Sequence, residues 1–171
     1  IYAYENQLIR EKLDTEVTPD QIKKYYNANP DNFDLKEQVF QVRMVKTSLS
    51  APNKDSLNRW VFGNDSLFKN KLDDYCRSFA KSCILDTSIW VPKNILASYL
   101  EKGEEDLLKL KMGENTFEDS LSVTYIQFFN SRKSGELAPI SYVKKQIKEI
   151  IRNQRRITLL SEVRKQIFES G

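Results

Sequence analysis

The chain of 171 residues is 40% hydrophobic and 30% charged, so it can bury a core and keep a solvated surface. Its five glycines and five prolines exclude collagen-like and low-complexity chains, and a net charge of +3 demands neither a nucleic acid nor an acidic partner. With no histidine and two cysteines, the chain has neither a serine–histidine triad nor the ligands of a zinc site, and no metal or cofactor is expected.

Two helices are predicted at the start of the chain. Apolar residues recur near one face of residues 1–14, at about the 3.6-residue period of a helix. Thr18 is the predicted N-cap of the second helix, Pro19 suits its first position, and Gln21 completes a capping box. This second helix is expected to end within residues 27–32.

A strand is predicted next, because apolar and polar side chains alternate through residues 38–47. Phe40, Val42 and Met44 point to one face of this strand, and Arg43 points to the other. A loop follows the strand.

Both cysteines fall in a stretch whose pattern indicates helix, residues 54–83, with a break at residues 63–65. On one helix, Cys76 and Cys83 would lie about 10.5 Å apart along the axis. That distance is too long for a disulfide within an intact helix. We therefore expect Cys76 to be simply packed among its neighbours, so the cysteines leave the redox compartment open.

The elements that follow are shorter. Residues 85–91 are expected to be a short extended piece, and a helix then begins with Pro92 at an early position. The helix continues or restarts and ends at Gly113, which suits a C-cap. Residues 115–130 hold one or two strands, of which the one at 121–130 is the stronger.

The last predicted element is a helix of nearly thirty residues, 141–170, about 45 Å long at the rise of an α-helix. Its apolar residues recur mostly at steps of three and four: Val143, Ile147, Ile150, Ile157, Leu160, Val163 and Ile167. A stripe of this length needs a cover, and the two N-terminal helices are too short to be stable alone. We therefore predict an α+β fold in which residues 1–34 pack on residues 139–171, with residues 35–138 inserted as a separate domain.

Six strings of sequence occur in an order that a known family shares. The string "VTPDQIKKYYNANPDNF" has the pattern of a helix that precedes a parvulin domain, and "VFQVRMV" stands where the first parvulin strand would be. Further along come "LDDYCRSFAKSC", "IWVP", "LKLKMGENTF" and "APISYVKKQIKEIIRNQRR". Together the strings resemble the SurA-type periplasmic chaperones and their parvulin-type prolyl isomerase domains. The resemblance covers nearly the whole chain and implies a small antiparallel sheet surrounded by helices.

The resemblance also implies a catalytic site, made in the family by two histidines, a cysteine or aspartate, and an apolar pocket for proline. Arg43 stands where the first histidine belongs. The second position falls on one of three residues: Thr124, Tyr125 or Ile126. Cys83 lies close to the cysteine or aspartate position, for which Asp86 competes. Cys83 and Arg43 are the catalytic candidates if the site is active, but we expect that isomerase activity has been lost with the histidines.

Apolar and aromatic side chains are the candidates for contact with an unfolded client: Met44, Trp90, Ile95, Tyr99, Phe128 and Tyr25. Trp90, Ile95, Tyr99 and Phe128 either line a shallow groove or form the core of the inserted domain, and both alternatives stay open. One of Tyr25 and its neighbour Tyr26 is expected to pack on the long helix. Arg43 either contacts a carbonyl of the substrate or is a solvated side chain next to a residue of the neighbouring strand.

The last helix carries basic residues that spread around its polar face: Lys144, Lys145, Lys148, Arg152, Arg155 and Arg156. Acidic residues elsewhere nearly balance them, so we expect no binding of nucleic acid. Attraction to anionic lipid or to acidic clients is the alternative.

These features predict a periplasmic folding chaperone of the SurA and parvulin type, which holds unfolded outer-membrane or secreted proteins. Two alternatives remain: a prolyl cis–trans isomerase with a histidine-free site, and a structural adaptor of an envelope complex, such as one for outer-membrane assembly. The resemblance further implies a helical segment before Ile1 and, as in related proteins, a lipid anchor. We expect any contact with the membrane to run through that segment.

Overall fold

The structure is a computed structural model that describes residues 2–169. Its contacts divide the chain into two compact units. The helical unit combines both ends of the chain, Ile1–Phe33 and Leu137–Gly171, and the sheet unit is Asp34–Glu136. Helices and an antiparallel sheet occur in one chain, which confirms the predicted α+β fold.

The elements in chain order are α1 (Tyr2–Lys12), α2 (Pro19–Ala28), β1 (Val39–Ser48), α3 (Lys54–Phe62), α4 (Ser66–Ser78), β2 (Ala80–Ile84), β3 (Val91–Pro92), α5 (Lys93–Leu100), α6 (Glu104–Leu107), β4 (Gly113–Glu118), β5 (Ser122–Arg132) and α7 (Ile140–Glu169). A short 3-10 helix, Pro30–Phe33, follows α2. The first and last residues of the predicted terminal helices, Ile1 and Ser170, lie outside the described residues.

The helical unit is built along α7, because both α1 and α2 pack against it. The buried contacts come from Ile9 of α1, Ile22 of α2 and three residues of α7: Val143, Ile147 and Val163. All three lie on the predicted apolar stripe, which α1 and α2 cover in part, because Ile157 of the same stripe is exposed. Burial of side chains of this size contributes about 1.5–3 kcal/mol each.

The start of α2 has the predicted capping box. The Thr18 hydroxyl accepts a hydrogen bond from the Gln21 amide at 3.2 Å, and the Gln21 side chain accepts one from the Thr18 amide at 3.0 Å. These bonds satisfy two backbone donors that the first turn of a helix leaves unpaired.

Tyr25 and Tyr26 both contact Phe33, at the end of the N-terminal segment. The Tyr26 ring stacks on Phe33 at 5.7 Å between centroids, and its hydroxyl donates to the Ala138 carbonyl at 2.7 Å. Tyr25 meets the same ring edge-on at 6.1 Å. Since Ala138 directly precedes the long helix, Tyr26 ties the two ends of the helical unit together.

The sheet unit contains an antiparallel sheet with the strand order β2-β1-β5-β4. The short strand β3 pairs with Val39 and Phe40, on the edge of β1 that β2 also occupies. Residues 113–132 form two separate strands, which resolves the alternative that the sequence left open.

Both faces of the sheet are covered. The α5 face packs on α5 and α6 and includes the strand residues Phe40, Val42, Met44, Ile126 and Phe128. The α3–α4 face packs on those two helices and includes Val45, Val123 and Tyr125 from the strands. This alternation follows from the two-residue period of a strand, which sends neighbouring side chains to opposite faces.

The structure has the predicted helix break at residues 63–65, but the prediction that helix extends to residue 83 is wrong, and so is the prediction that Cys76 is simply packed. The helix α4 ends at Ser78, and Cys83 lies on β2, where it pairs with Val45. The turn at Phe79 brings the two cysteine Cα atoms to 6.2 Å, and Cys76 and Cys83 form a disulfide. The strand forms because β1 offers it a partner, and the Thr47 hydroxyl donates to the Phe79 carbonyl at 3.2 Å.

The connection between α5 and β4 also differs from the prediction. α5 ends with Glu101 in the left-handed conformation, at φ 53°. The short helix α6 follows, and Gly113 begins β4 at φ 94° instead of capping a helix. A positive φ of this size favours glycine both at the end of a helix and in a turn that leads into a strand. The presence of a glycine therefore could not distinguish a helix cap from the start of a strand.

Candidate functional site

Two of the three candidates for the second histidine position lie on the opposite face of the sheet from Arg43, which stands at the first. Paired residues of antiparallel strands share a face, and Arg43 pairs with Gln127. Arg43 and Tyr125 therefore belong to the α3–α4 face, whereas Thr124 and Ile126 belong to the α5 face. Of the three candidates for the second position, only Tyr125 shares a face with Arg43.

Arg43 is held inside the sheet unit by backbone carbonyls and an aromatic ring. One of its terminal nitrogens donates to the Val61 carbonyl at 2.9 Å and to the Gly63 carbonyl at 3.2 Å. Its guanidinium lies 5.4 Å from the centroid of the Phe129 ring. Burial lowers the pKa of the Arg43 guanidinium from its ordinary value. Arg43 is thus a half-buried brace between β1 and the end of α3, not a solvated side chain.

A cavity of about 510 Å³ opens beside Arg43. Apolar side chains form one part of its lining: Trp60, Phe68, Leu72 and Leu85. Polar and charged residues form the rest: Asn64, Asp65, Ser66, Lys69, Asp73, Asp86 and Thr87. The cavity is large enough for one or two amino-acid side chains. Three carboxylates line it, and they do not form the set of catalytic residues that the resemblance implies.

The two candidates for the cysteine or aspartate position make local contacts. Cys83 is bonded to Cys76, so it has no thiol to offer a substrate. The Asp86 carboxylate accepts hydrogen bonds from the Ser88 hydroxyl at 2.6 Å and from the Ser88 amide at 2.9 Å. These bonds lower the pKa of Asp86, which stays ionised and shapes its own turn.

The predicted client-binding residues are dispersed. Met44 and Phe128 are buried in the core of the α5 face, so neither is exposed to a client, and Phe128 follows the alternative that placed it in the core. Ile95 and Tyr99 are exposed, one turn apart on α5, and Trp90 is half-buried. Tyr25 is half-buried against Phe33 in the helical unit. Only Ile95 and Tyr99 thus form a shared surface.

A buried lysine on the α5 face was missed from the sequence. The Lys46 side chain is 2% exposed, and its ammonium contacts the Glu101 carboxylate at 2.6 Å. A cavity of about 230 Å³ adjoins this pair, and its lining residues are Lys46, Lys81, Ser82, Ser98, Tyr99 and Glu101. The alternation of β1 could have indicated that Lys46 is buried. It places Lys46 on the same face as Met44, and that face was predicted to be apolar.

Two basic residues of α7 hold the loop between α1 and α2. Arg155 donates to the backbone carbonyls of Asp14 and Glu16 and to the Gln21 side chain. Arg152 donates to the Thr15 carbonyl at 2.9 Å. The basic residues of α7 are therefore not all free on a polar face, because these two have a structural role.

Apolar side chains are exposed on the C-terminal half of α7. Ile157 is 68% exposed and Phe168 is 90% exposed. Leu159 lines a cavity of about 470 Å³ beside the end of α1, and Ile167 and Phe168 line another of about 510 Å³ next to Glu5. We call the two exposed residues, Ile157 and Phe168, the distal surface of α7.

Residues 2–169 contain neither a membrane-spanning helix nor a cluster of metal-binding side chains. Across residues 2–169, no helix combines the length and the apolar character needed to cross a bilayer. The same residues contain no group of three or more histidine, cysteine, aspartate or glutamate side chains placed to hold a metal ion.

Comparison with known proteins gives a distant likeness in structure. No protein-family model matches the sequence, and no curated protein matches it either. The structure is similar to a solved structure from a study of the virulence factor PEB4 and the periplasmic protein Cj1289, described as structurally related SurA-like chaperones of Campylobacter jejuni. The identity is 13%, the match covers 99% of this chain and 67% of that chain, and the TM-score is 0.38. A likeness this distant assigns neither a family nor a function.

Proposed function

We propose that the chain is a folding chaperone of the SurA type, which holds unfolded or extended segments of other proteins. The observation that carries the proposal is the distal surface of α7, where two large apolar side chains are exposed and one of them, Phe168, lines a cavity. Exposed apolar patches of this kind mark surfaces that bind other chains. The sequence strings that resemble SurA-type proteins point in the same direction.

The expected binding is weak and reversible, as holding requires. Covering the two exposed side chains contributes about 3–6 kcal/mol, while the loss of free motion on association costs at least about 4 kcal/mol. The net affinity at one contact is therefore small. A long unfolded client compensates by returning to the surface through many segments, which raises its overall affinity.

Loss of isomerase activity is part of the proposal. Arg43 replaces the first family histidine, and its guanidinium is already engaged with two carbonyls. Cys83 is bonded to Cys76. In a protease-coupled assay on a proline-containing tetrapeptide, we expect no acceleration by the chain at micromolar concentration. Acceleration that an Arg43→Leu variant abolishes would contradict this part of the proposal and favour a histidine-free isomerase.

We further propose that the chain works in the periplasm and that its clients are outer-membrane or secreted proteins. Disulfides persist in oxidising compartments, of which the bacterial periplasm is one, and the bond between Cys76 and Cys83 supports this placement. Attachment to the membrane through an upstream lipid anchor and contact with an outer-membrane assembly complex belong to the same proposal.

Suppression of aggregation tests the holding activity. A denatured client is diluted into buffer with increasing amounts of the chain, and light scattering is followed over time. We expect the chain to lower the scattering and the double variant Ile157→Ser with Phe168→Ser to lose most of this effect, because it removes exposed apolar contacts without touching a buried residue.

The matched control for this assay is Leu121→Ser, which replaces a 70% exposed leucine at the turn between β4 and β5. The control should suppress scattering as the parent does. Equal suppression by the double variant and the parent would show that clients bind elsewhere, and no suppression by the parent would reject the proposal.

A further inference from the structure

The ammonium of Lys46 is a buried charge with unused donors. Its side chain is 2% exposed, on the face of the sheet that α5 covers. A lysine ammonium donates three hydrogen bonds, and burying it is costly unless these find acceptors. Within residues 2–169, the structure pairs it with one side chain, the Glu101 carboxylate.

A second buried polar group lies beside this lysine. Ser82 on β2 pairs with Lys46 on β1, and paired residues of antiparallel strands send their side chains to the same face. Among the described residues, the buried Ser82 hydroxyl oxygen has no hydrogen-bond partner. Lys81, Ser98 and Tyr99 complete the lining of the adjoining cavity of about 230 Å³. The cavity therefore offers the unpaired Ser82 hydroxyl and the Lys46 donors that the Glu101 carboxylate does not use.

Glu101 reaches this cavity from outside. It caps α5 in the left-handed conformation, which a residue other than glycine adopts at a cost, and its side chain is 76% exposed. A carboxylate on an exposed side chain can leave its partner without unfolding the helix that carries it. The Glu101 carboxylate therefore occupies the place that an external carboxylate would take.

We propose that this Lys46 pocket binds a carboxylate of a polypeptide, in exchange for the Glu101 carboxylate. Two sources share this chemistry: the C-terminal carboxylate of a client and the side chain of an aspartate or glutamate within it. Ile95 and Tyr99, exposed one turn apart on α5, lie on the helix face that would contact the apolar residues next to the bound group. The inference rests on the proposed function, because it names a feature of the polypeptides that the chain would hold.

Three labelled peptides test the proposal on the full chain by fluorescence anisotropy. The first is an apolar pentapeptide with a free C-terminal carboxylate, the second is its C-terminal amide, and the third is the amide with an internal glutamate. We expect at least one of the two carboxylate-bearing peptides to bind at least tenfold more tightly than the plain amide. Which of them does so identifies the source of the carboxylate.

Two substitutions are expected to act in opposite directions. Glu101→Gln removes the competing carboxylate and should strengthen binding several-fold, whereas Lys46→Met keeps an unbranched side chain one atom shorter, removes its charge and should abolish the preference over the amide. Ser82→Ala leaves every charge in place and should weaken binding several-fold. It is the variant that tests the pocket if Lys46→Met fails to fold. Equal binding of all three peptides, or no strengthening by Glu101→Gln, would overturn the proposal.

The outcome is separable from that of the proposed function. Suppression of aggregation is measured through residues of the helical unit, and the peptide preference is measured through residues of the sheet unit. If the preference is absent while Ile157 and Phe168 still govern suppression, the holding activity stands and the Lys46 pocket is rejected. If suppression fails, the anisotropy still reports whether the pocket binds a carboxylate.

Discussion

Reduction of the disulfide between Cys76 and Cys83 is expected to lower the free energy of unfolding of the sheet unit by about 2.5 kcal/mol. The bond closes a loop between cysteines seven residues apart. In the chain-entropy model, a closed loop of about eight residues restricts the unfolded chain by roughly this amount. Other contacts keep α4 on the sheet after reduction, because Leu72 and Tyr75 are buried in the core of the α3–α4 face and the Tyr75 hydroxyl lies 3.4 Å from that of Thr47 on β1. The unit should therefore be weakened but remain folded.

Urea unfolding with and without reductant measures this effect. The matched control is the double variant Cys76→Ser with Cys83→Ser, which should be less stable than the parent and insensitive to reductant. These are the two cysteines of the chain, so a reductant has no other target. An unfolding midpoint that reductant leaves unchanged in the parent would contradict the disulfide.

Replacement of Gly63 by alanine is expected to destabilise the sheet unit by about 1–3 kcal/mol, the usual cost of forcing atoms into a packed site. An added Cβ would lie 2.6 Å from the Arg59 carbonyl oxygen and would also meet the Phe68 ring. The Arg59 carbonyl cannot move freely, because it accepts the Gly63 amide at the end of α3. The Gly63 carbonyl in turn accepts from Arg43, so the clash would disturb that brace too.

Gly103 provides the control for this substitution. At Gly103 the nearest atom to an added Cβ is a carboxylate oxygen of Asp106 at 3.7 Å, an ordinary contact distance. Gly103→Ala should therefore leave the unfolding midpoint in urea close to that of the parent. Similar midpoints for Gly63→Ala and the parent would show that the end of α3 can relax, and that the close approach at Gly63 is not required.

The elements that could be predicted from the sequence are those specified by local signals. Thr18 and Gln21 lie three residues apart, so the capping box of α2 can be recognised without a structure. The apolar period of α7 and the alternation of β1 are equally local, and both elements agree with the prediction to within a residue or two at the described ends.

The strand β2 could not be predicted because its state depends on a distant partner. Residues 80–84 follow a helix with no glycine or proline between them, and their strand conformation comes from pairing with β1, more than thirty residues earlier. The disulfide was missed for the same reason. Cys76 and Cys83 are far apart on a helix and adjacent only after the chain turns at Phe79.

The candidate site was predicted least well, because exposure is a property of the whole fold. Met44 and Phe128 have the composition of a binding surface, but α5 and α6 cover them. Lys46 was not singled out from the sequence, and its burial depends on contacts such as that with Glu101, which lies 55 residues further along the chain. Phe168 was not singled out from the sequence, because the predicted apolar stripe of α7 includes its neighbour Ile167 but not Phe168. The structure shows that its side chain is exposed.

Hydrogen–deuterium exchange of the chain with a permanently unfolded client tests the central claim most directly. The client should carry an amidated C-terminus, so that the Lys46 pocket does not contribute through a chain end. We predict slower exchange in peptides that cover residues 157–168 of α7, and unchanged exchange at the turn between β4 and β5. Unchanged exchange along the C-terminal half of α7, at client concentrations where aggregation is suppressed, would contradict the claim that this surface holds unfolded chains.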